Sequence, residues 1–293
     1  MIFPDFDLQS HRGGRGETYE ESLLAFQKSL ELGVSTLELD IVLSKDGVPM
    51  VWHDPEIQAE KCRDTTGNYV GRDVHELTLK QLRTLACDVK LEAFPDQEIP
   101  PKNRMATLPE VFTLCASYNS RVLFNIETKI EADTPERSAS PQEFVDAILD
   151  AVETAGVEDR VIIQSFDWRS LPLVKKRFPT MPTAALYDAS TWFEGTPWIA
   201  PAKFGPDVLQ AIADLGADYV SPDHQLISGP RYIQRARDLG LIVLPWTVND
   251  AARMNRLMDW GVDGLITDFP TLLRQVMKER GMELPAAYQP ACA

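Results

Sequence analysis

No stretch of this 293-residue chain approaches the roughly 20 consecutive apolar residues needed to cross a bilayer. The opening lacks the basic-then-apolar pattern of a secretory leader, because acidic Asp5 and Asp7 follow closely on Met1. As it stands the sequence reads as cytoplasmic, or as periplasmic or secreted if a leader has been trimmed. Basic residues are scarce, 29 against 44 acidic, for a net charge of −15. That balance argues against a phosphate-neutralising nucleic-acid surface. An anion would have to bind in a locally basic or metal-filled pocket. The four cysteines (Cys62, Cys87, Cys115 and Cys292) form no CxxC pair and read as free thiols. The alternative is one bridge, Cys62 to Cys87, which would go with an oxidising compartment. Repeats and low-complexity segments are absent. With 44% hydrophobic and 25% charged residues, collagen, coiled coil and wholesale disorder are excluded.

What is present is an alternation of short β-branched runs and helical patterns. Phe6 to Gln9 reads as a strand, and Glu20 to Leu32 as a helix with Leu23, Phe26 and Leu30 on one face and Gly33 as its stop. Thr36 to Leu43 and Pro49 to His53 read as strands. The polar stretch of about 55–104 breaks the rhythm and is expected to be an insertion. The alternation then resumes to a last helix near Leu272 to Arg280. A Pro- and Ala-rich tail of about 281–293 is expected to fray. About eight β-then-α units argue for one domain over 1–293, an α/β fold of the (β/α)8 TIM-barrel type. The rival is an open doubly wound sheet. It would normally carry a glycine-rich nucleotide turn, and the spacing of Gly13, Gly14 and Gly16 is wrong for that.

Catalytic groups in such a barrel sit where strands end. His11-Arg12, Glu38-Leu39-Asp40, His53-Asp54 and Glu127-Thr128-Lys129 fall at such ends. Glu38 and Asp40 are two residues apart on a strand and so share a face. A like-charge pair pointing inward is repulsive unless a cation sits between, and Glu127 would supply a third oxygen ligand. Such ligands suit Mg²⁺ or Ca²⁺ better than Zn²⁺. Without a metal, the two acids would pair with Arg12 and Lys129. The chain has four histidines. His11 and His53, beside the acids, suit general base and acid work, with His11 assigned as base and His53 as acid. His75 and His224 read as surface or packing residues. Arg12 and Lys129 would neutralise a phosphate, Glu20 would hold Arg12 or touch substrate, and Glu21 would form a capping box with Thr18. Trp246 would wall a pocket. Trp192, Phe193 and Trp198 would cover the apolar part of a substrate or pack their loop on itself.

Taken in order, several motifs resemble the glycerophosphodiester phosphodiesterase family. They are His11-Arg12-Gly13, Glu20, Glu38-x-Asp40, Asp46-Gly47, His53-Asp54, Ile126-Glu127-x-Lys129, Trp246-Thr247-Val248-Asn249 and Asp263-Gly264 through Thr267-Asp268-Phe269-Pro270. The resemblance implies a TIM barrel and hydrolysis of glycerophosphodiesters to glycerol 3-phosphate and an alcohol. It implies one divalent metal, Mg²⁺ or Ca²⁺, held by Glu38, Asp40 and Glu127. The catalytic histidines fall on His11 and His53 and the phosphate-contacting arginine on Arg12. The sequence departs from the family at Tyr19-Glu20-Glu21-Ser22, where Pro-Glu-Asn-Thr is usual. It also departs at Thr128, where an apolar residue is usual, and at Ser10, where many relatives carry Gly. Two other readings stand beside this one: a lipid phosphodiesterase for lysophospholipid or sphingomyelin-type substrates, and a barrel that binds a phosphodiester without cleaving it.

Overall fold

The structure, a computed structural model, describes residues 4–291. It is a TIM barrel. In chain order the elements are β1 (Asp7–Ser10), α1 (Leu23–Leu32), β2 (Thr36–Leu43), β3 (Pro49–Val51), α2 (Leu79–Leu82), β4 (Ala106–Thr107), α3 (Leu108–Ser117) and β5 (Leu123–Thr128). There follow α4 (Pro141–Ala155), β6 (Val161–Ser165), α5 (Ser170–Arg177), β7 (Thr183–Tyr187), α6 (Val208–Leu215) and β8 (Tyr219–Pro222). The last are α7 (Pro230–Asp238), β9 (Ile242–Val243), α8 (Ala251–Trp260), β10 (Gly264–Thr267) and α9 (Pro270–Glu279). The barrel strands run in the order β10-β1-β2-β5-β6-β7-β8-β9, with every neighbouring pair parallel. No regular ladder joins β9 to β10 among the described residues. Backbone hydrogen bonds cross that seam, from Asp263 to Val243 (3.1 Å), Ile266 to Pro245 (3.1 Å) and Val248 to Ile266 (2.9 Å).

Two residue sets alternate along β2. Leu37, Leu39 and Ile41 lie in the large apolar cluster shared with α1, α3 and α4. Glu38 and Asp40, also fully buried, take the opposite face. The barrel interior is accordingly divided. Ile162, Ala184, Tyr219, Leu244 and Ile266 form a compact apolar plug on the later strands. The earlier strands carry a hydrogen-bonded polar chain. Gln9 donates to Asp7 (2.7 Å), Asn125 donates to Gln9 (2.8 Å) and Gln164 (3.0 Å), and Gln164 donates to Glu38 (2.7 Å). Apart from Asn125 Oδ1, which has no hydrogen-bond partner, the amide groups of this chain are paired, and they fix the carboxylate at its end.

β3 is not a barrel strand. It pairs antiparallel with β2 and β4, so His53 follows a hairpin that extends β2. Between β3 and β4 the chain builds a small core of its own, with Trp52, Ile57, Val74, Leu77, Leu82, Leu85 and Met105 among its buried residues. Here the free-thiol reading of Cys62 and Cys87 is overturned, because the two form a disulfide. Arg63 and Ala86 pair as an antiparallel bridge (2.8 and 3.0 Å), which brings the adjoining cysteines together. Cys115 is a buried free thiol, and Cys292 lies outside the described residues.

Two further expectations change. The first helix begins at Leu23, not Glu20, because Glu21 sits at φ 57° and Ser22 is the residue whose hydroxyl accepts from the Ala25 amide (3.1 Å). Glu21 therefore forms no capping box with Thr18; its carboxylate is buried and accepts from the Asp40 amide (3.1 Å). The tail carries hydrogen bonds as far as Ala291. Tyr288 donates to Leu30 (2.9 Å), Ala291 donates to Ser117 (2.9 Å), and Arg274 donates to Pro285 (2.8 Å).

Candidate active site

The C-terminal ends of β1, β2 and β5 and the loop after β3 converge on one cavity of about 100 Å³. Its lining includes His11, Arg12, Glu38, His53, Glu127, Lys129 and Trp246. The sequence-predicted residues thus line this cavity, apart from Asp40 and Glu20, which both lie against the Arg12 guanidinium. One ligand atom each from Glu38, Asp40 and Glu127 lies within 4.8 Å of the others. All three side chains are buried, and neither oxygen of Asp40 accepts a hydrogen bond. Burial and the Asp40 charge push Glu38 well above the usual carboxylate range. Burial pushes Glu127 up to about 8, against Lys129 and with the help of Asp40. Burial alone would raise Asp40 too, but His53, Lys129 and Arg12 together hold it below its ordinary value. Three acids so placed repel one another, and oxygen ligands with unsatisfied lone pairs are the donor set of a hard divalent cation.

Arg12 lies in a tight turn at φ 50°. Its amide donates to Glu38 (2.8 Å), and its guanidinium is 3.2 Å from Asp40 and 3.4 Å from Glu20. Glu20 also meets Arg15 at 3.3 Å and Lys61 at 2.5 Å. Burial opposes ionisation of Glu20, and the three cations more than reverse that. Of the two roles weighed for Glu20, holding Arg12 is the one its contacts fit. Lys129 is 2.8 Å from Glu127 and 3.1 Å from Nε2 of His53.

The two imidazoles are braced differently. His11 Nδ1 is 2.5 Å from Asp268, whose second oxygen accepts from Asn249 at 2.7 Å. His53 Nδ1 is 2.9 Å from Asp54, which is paired with Lys61. Burial lowers the His11 pKa, and Asp268 opposes the shift. Burial lowers that of His53 much further, with Arg12 and Lys129 adding to it. Sequence reasoning named Asp54 and Asp268 only as parts of motifs and missed Lys61 and Gln164. Gln164 had a signal, an amide at the inward end of a buried strand. Lys61 had none, since its partners are set by the insertion's folding.

Trp246 walls the cavity, with Phe166 edge-on at 5.4 Å and its own Nε1 donating to Ser221 (2.9 Å). The other loop aromatics pack. Trp192 stacks on Trp168 at 5.8 Å and Trp198 donates to Asp133 (2.7 Å), while Phe193 is exposed. His224 accepts from Arg253 at 3.1 Å, as a packing histidine does, and His75 stays in the insertion.

Fold and site define a barrel that gathers acids, imidazoles and cations at its mouth, the equipment for hydrolysing an anionic ester. The sequence profile described as the Glycerophosphoryl diester phosphodiesterase family matches residues 11–272. A glycerophosphodiester phosphodiesterase of Bacillus subtilis is 29% identical over 95% of this chain and 89% of its own length. One of Caldanaerobacter subterraneus is 30% identical over 93% and 98%. A solved structure from Silicibacter pomeroyi that carries the family name superposes with TM-score 0.84 at 30% identity, covering 95% of each chain. The chain belongs to the glycerophosphoryl diester phosphodiesterase family and is an enzyme of the phosphoric diester hydrolase class. No helix among the described residues is long and apolar enough to cross a membrane.

Proposed function

We propose that the protein hydrolyses small glycerophosphodiesters to glycerol 3-phosphate and an alcohol, with residues 1–293 acting as one catalytic unit. The observation that carries this is the meeting of Glu38, Asp40 and Glu127 with His11, His53, Arg12 and Lys129 around a single cavity. A fold neighbour from Oleispira antarctica (TM-score 0.74, 18% identity) holds sn-glycerol-3-phosphate as product, and the reading assigns the same product here. Glu38, Asp40 and Glu127 would hold one Mg²⁺ or Ca²⁺, and the Asp40 oxygens, which accept no hydrogen bond, fit that use. Bound there, the ion supplies Lewis-acid polarisation and charge neutralisation at phosphate.

The side chains take the remaining work. Arg12 and Lys129 face the cavity and pair with phosphate oxygens. The Nδ1–H of His53 is given to Asp54, and its Nε2 accepts from Lys129, so this ring is neutral, and its Nε2 lone pair can take a proton once the ammonium turns to phosphate. His53 is therefore the base, removing a proton from the attacking water or from the substrate's own 2-hydroxyl. His11 shares Nδ1–H with Asp268, which offsets part of the lowering by burial and leaves it less depressed than His53, so of the two rings it is the one to carry the proton, and its Nε2–H protonates the leaving alcohol. This proposal takes the two roles the other way round from the sequence reading, and the cations around His53 are its reason. Trp246 and Phe166 wall the cavity against water and position the carbon skeleton. The Cys62–Cys87 bridge supports the oxidising-compartment branch of the localisation reading.

The test is an enzyme-linked assay for glycerol 3-phosphate. Glycerophosphocholine and glycerophosphoethanolamine are given to chelated enzyme with Mg²⁺, Ca²⁺ or nothing restored. Ion-dependent release is expected. No release with any ion refutes the reading, and turnover of lysophosphatidylcholine micelles instead would establish the lipid alternative.

A further inference from the structure

We propose that Lys61, carried by the segment between β3 and β4, is a positioning residue that sets His53 through Asp54. The inference rests on the proposed function. Lys61 is buried, and it does not line the cavity, so it acts through another group. Its ammonium is 2.5 Å from Glu20 and is ion-paired with Oδ2 of Asp54. Glu20 is the fixed end of this bridge, because Arg12 and Arg15 hold it from the other side at 3.4 and 3.3 Å. Asp54 is the working end. With Oδ2 committed to the ammonium, Oδ1 is left for Nδ1 of His53 at 2.9 Å.

The lysine is itself held through its main chain. Its amide donates to Gln58 (3.1 Å), and its carbonyl accepts from the hydroxyl of fully buried Tyr19 (2.9 Å). The next residue, Cys62, closes the disulfide to Cys87. An aspartate free to rotate would offer either oxygen, or neither, to the imidazole. Clamped by Lys61, it presents one oxygen in one place. That fixes the Nδ1–H tautomer and points Nε2 at Lys129 and the cavity. The barrel thus borrows part of its catalytic geometry from the insertion.

Two readouts test this. Steady-state rates with glycerophosphocholine are compared for wild type, Lys61→Met, Lys61→Arg, Asp54→Asn and the double Asp54→Asn/Lys61→Met. ¹⁵N spectra of the His53 ring, which need no turnover, are recorded on the same proteins. Lys61→Met is expected to lose about 10- to 100-fold in kcat, as outer partners of catalytic groups do, with KM within about threefold. Its His53 ring changes from one tautomer to a mixture. Lys61→Arg keeps the charge, recovers the single tautomer and regains part of kcat. Folded Lys61→Met with wild-type kcat and an unchanged ring overturns the inference. If Lys61→Met does not fold, the double variant decides, because it leaves no unpaired carboxylate at position 54. A kcat within about twofold of Asp54→Asn alone supports action through Asp54, and a further drop of about tenfold overturns it. Inactive wild type with an intact Lys61-dependent tautomer counts against the proposed function and leaves this inference standing.

Discussion

His11 and His53 face the same cavity and each gives its Nδ1 to an aspartate, yet the two braces have different origins. Asp268 follows β10 and is fixed by Asn249 from the preceding βα loop, so the His11 brace is made of barrel alone. Asp54 is fixed by Lys61 from a disulfide-stapled insertion. The electrostatic settings differ as well. On His11 the Asp268 anion outweighs Arg12, whereas on His53 Arg12 and Lys129 outweigh Asp40. On the proposed function the less depressed ring, His11, would carry the proton and His53 would accept one. The same side chain, on the same fold, would then be given opposite work by its neighbours.

The comparison breaks most visibly if either ring is dispensable. His11→Ala and His53→Ala should each lower kcat by about 10²-fold or more in the glycerol 3-phosphate assay. A loss of only a few-fold in both would remove the acid–base account.

Next come the braces. Asp268→Asn should cost about 10- to 100-fold and also move a pH limb. Asp268 favours the charged form of His11, so without it the pKa of His11 falls further. The alkaline limb of kcat/KM, where the acid loses its proton, then shifts to lower pH while the acid limb stays. An acid limb that moves instead would show that the two rings had been assigned the wrong way round.

A smaller effect separates barrel from insertion in stability. Cys62→Ser/Cys87→Ser opens a loop with a sequence separation of 25 and should cost about 3 kcal/mol in urea unfolding. Cys115→Ala, in the barrel's own core, should lower stability without altering the folding of the insertion. Equal protection of insertion amides in the oxidised and serine proteins, by hydrogen exchange, would contradict the staple. The smallest effect belongs to the aromatic loop. Trp198→Phe forfeits one hydrogen bond to Asp133, about 1 kcal/mol, and should leave kcat and KM unchanged. A change in KM would bring that loop into substrate binding after all.

The same contrast explains how far the sequence could be read. Glu38 and Asp40 were legible because a strand's period of two is rigid, and a parallel strand buried on both faces has no cheap place for acids. His11, Arg12, Glu127 and Lys129 were legible because barrel strands deliver their last residues to one mouth. Glu21 was misread for want of a backbone angle. The sequence is compatible with a capping box, but φ 57° turns the carboxylate inward to the Asp40 amide. Lys61 was out of reach for another reason, and the Cys62–Cys87 bridge could be named only as the alternative to free thiols. Their partners are set by a polar insertion with no periodic pattern, where only the folded chain shows that Arg63 pairs with Ala86. The proposed division of acid and base likewise draws on structure, since the cations that favour it come from positions 12, 61 and 129.

Changing the leaving group tests that assignment most directly. A substrate whose alcohol is acidic enough to depart as an anion, such as glycerophospho-p-nitrophenol, needs no general acid. With it, His11→Ala should recover to within a few-fold of wild type, while His53→Ala stays about 10²-fold or more impaired. Recovery of His53→Ala in place of His11→Ala, or equal impairment of both, would contradict the division of labour drawn here.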